Sequence, residues 1–321
     1  MTASSLGELG IIKLFRKIAV IHQKYDDVST LDLGNDKLGV LKADMFVDKT
    51  DRPPGMNFKQ VGMKALTISV SDFAAKGIKP SAALIAFATH PHRKKYELES
   101  IAQGLKAASK EYNVPILGGD TNESSDLIIT SILFGICKKD DIVFRRGAKP
   151  GDLVVTSGRF GLVSSGLIML LQKQFAPPKI KRKILNSVYR PKARIDFGNR
   201  LRHLGATSSI DSSDGLALSL HQLSEASKVG FLIERMPLAK DAQIYAEINK
   251  LDPFELVFYG GEEYEIVATL DSKHYNRIPE KLKRDVTVIG KVIKDRTITY
   301  VENRTERKIE AKGWEHFKSP S

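Results

Sequence analysis

A turn-rich segment near the middle of the chain divides the 321-residue sequence into two halves. Residues 146–152 (Arg-Gly-Ala-Lys-Pro-Gly-Asp) contain the Gly and Pro residues that interrupt helical and strand periodicity, and an apolar strand pattern starts afresh at Leu153. Strand-like and helix-like patterns alternate on both sides of this segment. The sequence therefore predicts an α/β (or α+β) protein with two domains, residues 1–147 and residues 148–321.

Apolar spacing predicts the local elements around the residues of interest. The predicted helices are 5–24, 60–77, 96–112 and 216–226, and the predicted strands are 38–47, 82–89, 114–117, 127–137 and 153–156. Pro and Gly at 51–55 predict a loop. The longest apolar stretch, 127–137, is too short to cross a bilayer.

Cysteine content and charge limit the possible classes of protein. The single cysteine, Cys137, excludes a disulfide framework and a Cys-based zinc site, and it fits a reducing, cytoplasmic compartment. The first ten residues lack a basic region followed by an apolar run, so no signal peptide is expected. The net charge of +12 most simply indicates a solvated basic face, although such a surface can also attract nucleic acid, membrane or small phosphorylated ligands. No pattern of basic residues interleaved with aromatics indicates nucleic acid. We expect neither a membrane partner nor a specific nucleic acid.

The common nucleotide-binding and catalytic signatures are absent from the sequence. It contains no Gly-x-x-x-x-Gly-Lys-Ser/Thr loop, no Gly-x-Gly-x-x-Gly, no protein-kinase set, no His-Glu-x-x-His and no Gly-x-Ser-x-Gly. The only close histidine pair, His90 and His92, flanks Pro91 in a predicted loop, where a metal site is the weaker interpretation.

Carboxylates recur in glycine-bearing segments that follow apolar runs. These segments are 34–36 (Gly-Asn-Asp), 118–121 (Gly-Gly-Asp-Thr), 211–215 (Asp-Ser-Ser-Asp-Gly) and 260–263 (Gly-Gly-Glu-Glu), and Asp44 and Asp72 add acids within a strand and a helix. Mg²⁺ prefers carboxylate and phosphate oxygens, and glycine lets the backbone approach phosphates closely. Phosphoryl transfer needs mainly alignment and charge neutralisation, so the pattern indicates this chemistry.

Each acid taken alone has a simpler interpretation. Asp36 and Asp120 suit ordinary turns, Asp214 suits the N-cap of the following helix, and residues 262–263 suit a solvated strand end. Asp72 is harder to explain in this way, because it lies on the apolar stripe of its predicted helix. A buried charge there needs a metal ion or a salt bridge to a nearby Lys.

Taken in order, these segments resemble the thiamine-monophosphate kinases of archaeal type. Further matching segments are 41–44 (Leu-Lys-Ala-Asp), 50–56 (Thr-Asp-Arg-Pro-Pro-Gly-Met), 70–77 (Val-Ser-Asp-Phe-Ala-Ala-Lys-Gly), 147–152 and 260–265. The resemblance implies the fold of aminoimidazole ribonucleotide synthetase, with two α/β domains and a homodimer in which the N-terminal sheets pair. It also implies ATP- and Mg²⁺-dependent phosphorylation of thiamine monophosphate to thiamine diphosphate by direct phosphoryl transfer.

The resemblance also implies roles for individual residues. The Mg²⁺ ligands would be Asp36, Asp44, Asp72, Asp120, Asp211 and Asp214. The ATP contacts would be Gly118, Gly119, Asp120, Arg145 and Ser213, with Arg145 and Asp214 acting in catalysis. The thiamine site would be lined by Asp51, Glu262 and Trp314, whose aromatic face suits a cationic thiazolium ring.

The sequence departs from the family pattern at two places. Family members usually show Gly-Asp-Asp where residues 34–36 are Gly-Asn-Asp, and Ser-Thr-Asp where residues 42–44 are Lys-Ala-Asp. These changes leave the number of Mg²⁺ ions open, with Lys42 replacing a cation or binding a phosphate. Bacterial members also carry a substrate-side His at a position that falls near Asp51.

Several alternatives stay open. Within the superfamily these are the cyclo-ligase, the selenide–water dikinase and the hydrogenase maturation factor. The last two need a reactive Cys near a terminus, whereas Cys137 lies within a predicted strand. A catalytically weakened relative is another. A basic nucleic-acid-binding protein is the alternative from a different class, and it would leave the ordered acidic segments unexplained.

Overall fold

Two β-sheets, one in each half of the chain, form the framework of the protein. The computed structural model describes residues 2–19 and 26–314. The first sheet has the strand order β1-β2-β5-β3-β4. Its strands are β1 (Ser29–Gly34), β2 (Lys37–Val47), β3 (Ala82–Thr89), β4 (Ile116–Glu123) and β5 (Ile128–Lys138). All neighbouring strands are antiparallel except β3 and β4.

The second sheet has seven strands in the order β12-β11-β8-β10-β6-β9-β7. They are β6 (Leu153–Thr156), β7 (Ala206–Ser212), β8 (Gly230–Ile233), β9 (Glu265–Leu270), β10 (Thr287–Ile293), β11 (Ile298–Glu302) and β12 (Thr305–Lys308). Pairing is antiparallel except between β8 and β11. The segment that joins the two sheets, 139–152, contains the boundary predicted from the sequence.

Helices lie before, between and after these strands. In the first half they are α1 (Ala3–Ile18), α2 (Asp48–Asp51), α3 (Phe58–Ala75) and α4 (Lys95–Tyr112). In the second half they are α5 (Leu162–Gln172), α6 (Pro178–Tyr189), α7 (Ile195–Gly198), α8 (Leu216–Ser227), α9 (Lys240–Asn249), α10 (Pro253–Phe258) and α11 (Ser272–Arg277), with a 3-10 helix at Glu280–Lys283. Within the described ranges, no helix combines the length and apolar character needed to cross a membrane.

The sequence located most elements near the site and misplaced some boundaries. The helix predicted over 60–77 is confirmed as α3, which ends where Gly77 adopts a φ of 72°. The end of the predicted helix 5–24 lies outside the described residues, and α1 stops at Ile18. The strand predicted over 114–117 is wrong in extent, because pairing with β3 continues through the two glycines to Glu123. Of the loop predicted over 51–55, Asp51 is the last residue of the short helix α2, and residues 52–55 lie outside helices and strands.

Helix α3 is buried between the two sheets and belongs to the cores of both. Leu66 and Val70 pack in the core of the first sheet, whereas Ala74 and Ala75 pack with Ile266 of β9. Fourteen of its 18 residues are buried, so the apolar stripe predicted from the sequence understates how much of the helix is covered. This position places charged side chains of α3 between the domains.

The face of the first sheet opposite α3 is apolar and exposed. The strand registers place seven large side chains on this face, each at least 39% exposed: Leu31, Leu33, Leu41, Met45, Leu84, Phe134 and Ile136. An antiparallel sheet that faces water normally alternates apolar and polar residues, and patches of this kind mark interaction surfaces. We call these seven residues the apolar sheet face.

Candidate active site

Helix α3 and its C-cap residue carry three charged side chains of the site into the interior. Lys64, Asp72 and Lys76 are 1%, 5% and 0% exposed. Hydroxyl groups of both sheets fix the helix. Ser131 Oγ of β5 donates to the Ala65 carbonyl at 2.6 Å, and Ser209 Oγ of β7 donates to the Ala75 carbonyl at 2.5 Å. The charged groups are therefore held in place from both domains.

Asp27, Asp72 and Asp211 bring together three buried carboxylates from separate parts of the chain. One oxygen of each lies within 4.8 Å of the others. Asp27 precedes β1, Asp72 lies in α3 and Asp211 in β7, where the Ser71 hydroxyl donates to Asp211 Oδ2 at 3.0 Å. We call these three residues the carboxylate cluster. Such a buried group of oxygen ligands suits a hard divalent cation.

Two cations hold Asp27 and its neighbour Asp26. Lys76 Nζ lies 2.6 Å from Asp27 Oδ2 and 2.8 Å from Asp26 Oδ1, and it donates to the Ser209 carbonyl at 2.6 Å. Arg145 Nε donates to Asp27 Oδ1 at 2.8 Å. Burial alone would raise the pKa of Asp27, but Arg145 and Lys76 hold it below its ordinary value. This arrangement keeps Asp27 ionised and fixes its orientation.

Lys42 of β2 places its ammonium group between two further carboxylates. Nζ lies 2.8 Å from Asp72 Oδ2 and 3.7 Å from Asp44 Oδ2. Burial opposes a charge here, but the Asp72 and Asp44 carboxylates outweigh it and raise the pKa of Lys42 above its ordinary value. Lys42 therefore stays cationic, and the salt bridge to Lys that the sequence left open for Asp72 is present.

The other two members of the carboxylate cluster are difficult to ionise without more positive charge. Burial, reinforced by the Asp27 carboxylate, raises the pKa of Asp211 to about 7. Burial also raises the pKa of Asp72 against the attraction of Lys42, and Asp211 and Asp44 add to the effect. A divalent cation would reverse both shifts, because it favours the ionised carboxylates. The residues present therefore fit a Mg²⁺ ion.

A strained loop connects the second domain to this cluster. In the Gly-Gly-Glu-Glu-Tyr segment, Glu262 and Tyr264 adopt φ values of 62° and 52°, which side chains other than glycine rarely adopt. Two hydrogen bonds hold the loop: Glu262 N donates to the Ser213 carbonyl at 2.5 Å and Tyr264 N donates to the Ser212 carbonyl at 2.9 Å. Strain of this kind persists where surrounding structure enforces it, often at functional sites.

The Tyr264 side chain joins this loop to the carboxylates. It is 5% exposed and packs in an apolar core of the first domain with Phe46 and Ile68. Burial, together with the nearby Glu262, Asp44 and Asp211 carboxylates, raises the pKa of Tyr264 well above its ordinary value, so the phenol stays protonated. Tyr264 therefore lies among acids contributed by both domains.

Lys64 brings together two of the residues predicted to line the thiamine site. Its Nζ donates to the Asp51 carbonyl at 2.7 Å and forms a short ion pair with Glu262 Oε1. Lys64 is 1% exposed on its side chain, whereas Glu262 is 26% exposed. The buried cation fixes one oxygen of Glu262 while the side chain stays open to a ligand.

Trp314 lies beside the same loop. Its backbone N donates to the Asp214 carbonyl at 3.0 Å, and a Cβ added at Gly261 would lie 3.5 Å from the Trp314 Cβ. The Trp314 side chain is 45% exposed. Gly215, not Asp214, is the N-cap of α8, so the N-cap interpretation of Asp214 is wrong.

The structure does not bring Asp36 to the site. Gly34, Asn35 and Asp36 all have positive φ and form the hairpin turn between β1 and β2. Asp36 is eight residues from Asp44 along the chain, a separation of about 26 Å at the usual rise of a strand. The prediction that Asp36 joins the other acids is therefore wrong, and the glycine and acid at 34–36 serve a turn.

Asp120, Gly118 and Gly119 lie in β4 at the edge of the first sheet. The register aligns Gly119 with Ile85, Ser131 and Asp44 on successive strands, which puts it about 14 Å from Asp44 at normal strand spacing. These residues are exposed. They lie in a strand and not in the turn that suited Asp120 as a simpler interpretation, and three strand spacings separate them from Asp44.

Sequence reasoning missed four residues that the structure places in the site. Asp26 and Asp27 are adjacent acids just before β1, the only place in the first 45 residues where two carboxylates adjoin. Lys64 and Lys76 lie in or directly after the apolar helix α3. Adjacent acids before a strand and lysines within an apolar helical pattern were the available signals. Arg145, predicted to contact ATP, lies largely buried against Asp27 and is 8% exposed.

Glu263 is a buried carboxylate outside the cluster. Its Oε1 accepts hydrogen bonds from Gly161 N at 2.7 Å and Val163 N at 3.2 Å, at the start of α5. Burial raises the pKa of Glu263 to about 8 despite these donors, and nearby Glu265 adds to the effect. Glu265 itself pairs with Arg194.

Comparisons with known families match both halves of the chain. The pattern described as "AIR synthase related protein, N-terminal domain" matches residues 25–137, and "AIR synthase related protein, C-terminal domain" matches residues 149–302.

Individual relatives match over nearly the whole length. The thiamine-monophosphate kinase of Nitrosopumilus maritimus is 35% identical over 98% of this chain and 100% of its own. The thiamine-monophosphate kinase of Pyrococcus abyssi is 35% identical over 98% of this chain and 96% of its own. The structure of AaThiL complexed with AMPPCP and TMP superposes with a TM-score of 0.88 at 29% identity, covering 98% of this chain and 99% of the other.

Replacing Glu263 by Gln tests the burial of its carboxyl group. Because the folded-state pKa is about 8 and the ordinary value is 4.5, ionisation costs stability as pH rises through this interval. Gln keeps an acceptor for Gly161 N and Val163 N but carries no charge. We expect the free energy of unfolding of Glu263→Gln, relative to the wild type, to rise by roughly 3 kcal/mol between pH 5 and pH 8.

Denaturant unfolding at several pH values measures this difference. Glu265→Gln is the matched control, because it disrupts an ion pair next to Glu263 but leaves the Glu263 carboxyl group in place. The free energy of unfolding of Glu265→Gln should keep most of the pH dependence of the wild type. If the free energies of unfolding of Glu263→Gln and the wild type change equally with pH, the raised pKa of Glu263 is contradicted.

Proposed function

This chain belongs to the thiamine-monophosphate kinase family of AIR synthase related proteins, and we propose that it phosphorylates thiamine monophosphate with ATP to give thiamine diphosphate and ADP. An oxygen of the substrate phosphate forms a bond to the γ-phosphorus as the bond from that phosphorus to the β-phosphate oxygen breaks. The observation that carries the proposal is the carboxylate cluster, built from both domains in a chain that matches these kinases over almost its full length.

Asp27, Asp72 and Asp211 would hold Mg²⁺, with Asp44 and Asp214 available nearby. When bound, Mg²⁺ neutralises and aligns the phosphate oxygens of the nucleotide. Lys76 and Arg145 keep Asp27 ionised and oriented, and α3 holds Asp72 rigidly against both sheets. Burial of these groups lowers the local dielectric, so their electrostatic effect on a developing charge is larger than in water.

The thiamine moiety would lie against the loop that carries Glu262. The partly exposed Glu262 carboxylate and the Trp314 ring suit a cationic thiazolium, and the Lys64 ammonium fixes Glu262 and the Asp51 backbone. Ser213 and Asp214 precede α8 beside the same loop and would face the nucleotide. Gly118, Gly119 and Asp120 stay assigned to ATP, because β4 lies on the same sheet at the level of Asp44.

The apolar sheet face supports the proposal that the protein is a homodimer. Seven large apolar side chains on one sheet face match the paired N-terminal sheets that the family resemblance implies. Burying such a face removes apolar surface from water at about 25 cal/mol per Å². We also propose a cytoplasmic location, in keeping with the single cysteine, and a domain boundary at residues 147 and 148.

The kinase assignment and the ligand set are tested together by measuring ADP formation with thiamine monophosphate, ATP and Mg²⁺. The wild type should be active. Asp27→Asn and Asp211→Asn should each lower kcat/KM about 100-fold or more, because each removes a charged metal ligand.

Asp36→Asn is the matched control, because it makes the same chemical change in the hairpin turn between β1 and β2. It should leave kcat/KM within about twofold of the wild-type value. Circular dichroism and thermal unfolding establish that the variants are folded. An inactive wild type would contradict the function. A large loss in Asp36→Asn with little effect in Asp27→Asn would contradict the assignment of ligands.

The dimer is tested by placing a charge on the apolar sheet face. Leu84→Glu puts an unpaired carboxylate at the proposed interface and should convert a dimer into a monomer in analytical ultracentrifugation. Leu171→Glu, at a side chain that is 69% exposed on α5, is the matched control and should stay dimeric. A monomeric wild type, or a dimer that survives Leu84→Glu at micromolar concentration, would contradict the proposal.

A further inference from the structure

We propose that the Lys42 ammonium is a fixed cation that takes the place of one divalent metal ion in the site. The proposal rests on the proposed kinase function only in assuming that the carboxylate cluster binds Mg²⁺. It concerns how many such ions the site accepts and which residue limits that number. The ammonium occupies the space between Asp44 and Asp72, where two carboxylates of adjacent elements would otherwise share a metal ion.

The geometry at Lys42 is that of a cation held between two carboxylates and not of a surface ion pair. Lys42 and Asp44 are two residues apart on β2, so both side chains lie on the face that α3 covers. The Lys42 side chain is 21% exposed and that of Asp72 is 7% exposed. The 2.8 Å contact to Asp72 Oδ2 therefore lies in a largely desolvated setting, where removing one partner is costly.

The charge balance of the site supports the same conclusion. The ion pairs and the carboxylate cluster join five carboxylates: Asp26, Asp27, Asp44, Asp72 and Asp211. Three cations pair with them: Lys42, Lys76 and Arg145. With all five carboxylates ionised, these eight groups carry two negative units, which is the charge that one divalent ion neutralises. Without Lys42 the remainder would be three negative units, and the oxygens of Asp44 and Asp72 would have no cation between them.

The residue type at position 42 decides whether a metal ion could bind between Asp44 and Asp72. A hydroxyl residue at position 42 would offer a neutral ligand to a metal ion and leave the Asp44 and Asp72 carboxylates free to bind it. Lys offers three donors, accepts nothing and cannot ligate a metal while protonated. The wild-type chain should therefore bind fewer divalent ions than a variant in which position 42 is a small hydroxyl residue.

The experiment counts Mn²⁺ ions per protomer, using the loss of the free Mn²⁺ electron paramagnetic resonance signal, with saturating AMPPCP. Lys42→Thr should bind one more Mn²⁺ per protomer than the wild type. Lys42→Arg, which keeps the cation, should bind the same number as the wild type. Lys139→Thr is the matched control, because it removes a lysine that pairs with Asp32 at 2.6 Å in an exposed setting. It should also leave the count unchanged.

Thermal unfolding without nucleotide gives a second readout that does not depend on turnover. Lys42→Thr should unfold at a lower temperature than the wild type in the absence of divalent ions, and Mn²⁺ should restore more of its stability than it adds to the wild type. An equal Mn²⁺ count in Lys42→Thr and the wild type, or an Mn²⁺ effect of equal size on both, would overturn the proposal. An extra ion in Lys42→Thr with no kinase activity in the wild type would overturn the function and leave this inference standing.

Discussion

The site depends on the burial of like charges between two domains. Asp27, Asp72 and Asp211 come from three elements, and each would repel the others in a dry interior. The repulsion is offset on one side by Lys76 and Arg145 and on the other by Lys42. This incomplete compensation leaves a net negative charge among the carboxylates, which a divalent cation would neutralise.

Helix α3 makes this arrangement possible because it belongs to both domains. Its hydroxyl-mediated contacts to Ser131 and Ser209 fix it against both sheets, so the charges it carries keep their positions relative to the second domain. Tyr264 packs in the opposite direction, from the second domain into the first. The loop around Glu262 is strained, and its hydrogen bonds to residues 212–213 tie it to the end of β7, the strand that carries Asp211.

The sequence predicted the fold class and several of these residues for physical reasons that the structure supports. Asp72 was identifiable because an acid on an apolar helical stripe needs a partner, and both Lys42 and the carboxylate cluster provide one. Asp36 was misassigned because a glycine-flanked acid has the same local pattern in a hairpin turn as in a phosphate site. The two can be distinguished only when the course of β2 is known, because the length of this strand separates Asp36 from Asp44 by about 26 Å.

The partners of the buried lysines could not be found from local patterns. Lys64 and Lys76 bind acids that are distant in sequence, and nothing within α3 itself identifies those partners. The most direct test of the account is the anomalous scattering from a crystal soaked with Mn²⁺ and AMPPCP. We predict a peak among the carboxylate oxygens of Asp27, Asp72 and Asp211. A bound nucleotide whose Mn²⁺ peaks all lie away from these three residues would contradict the account.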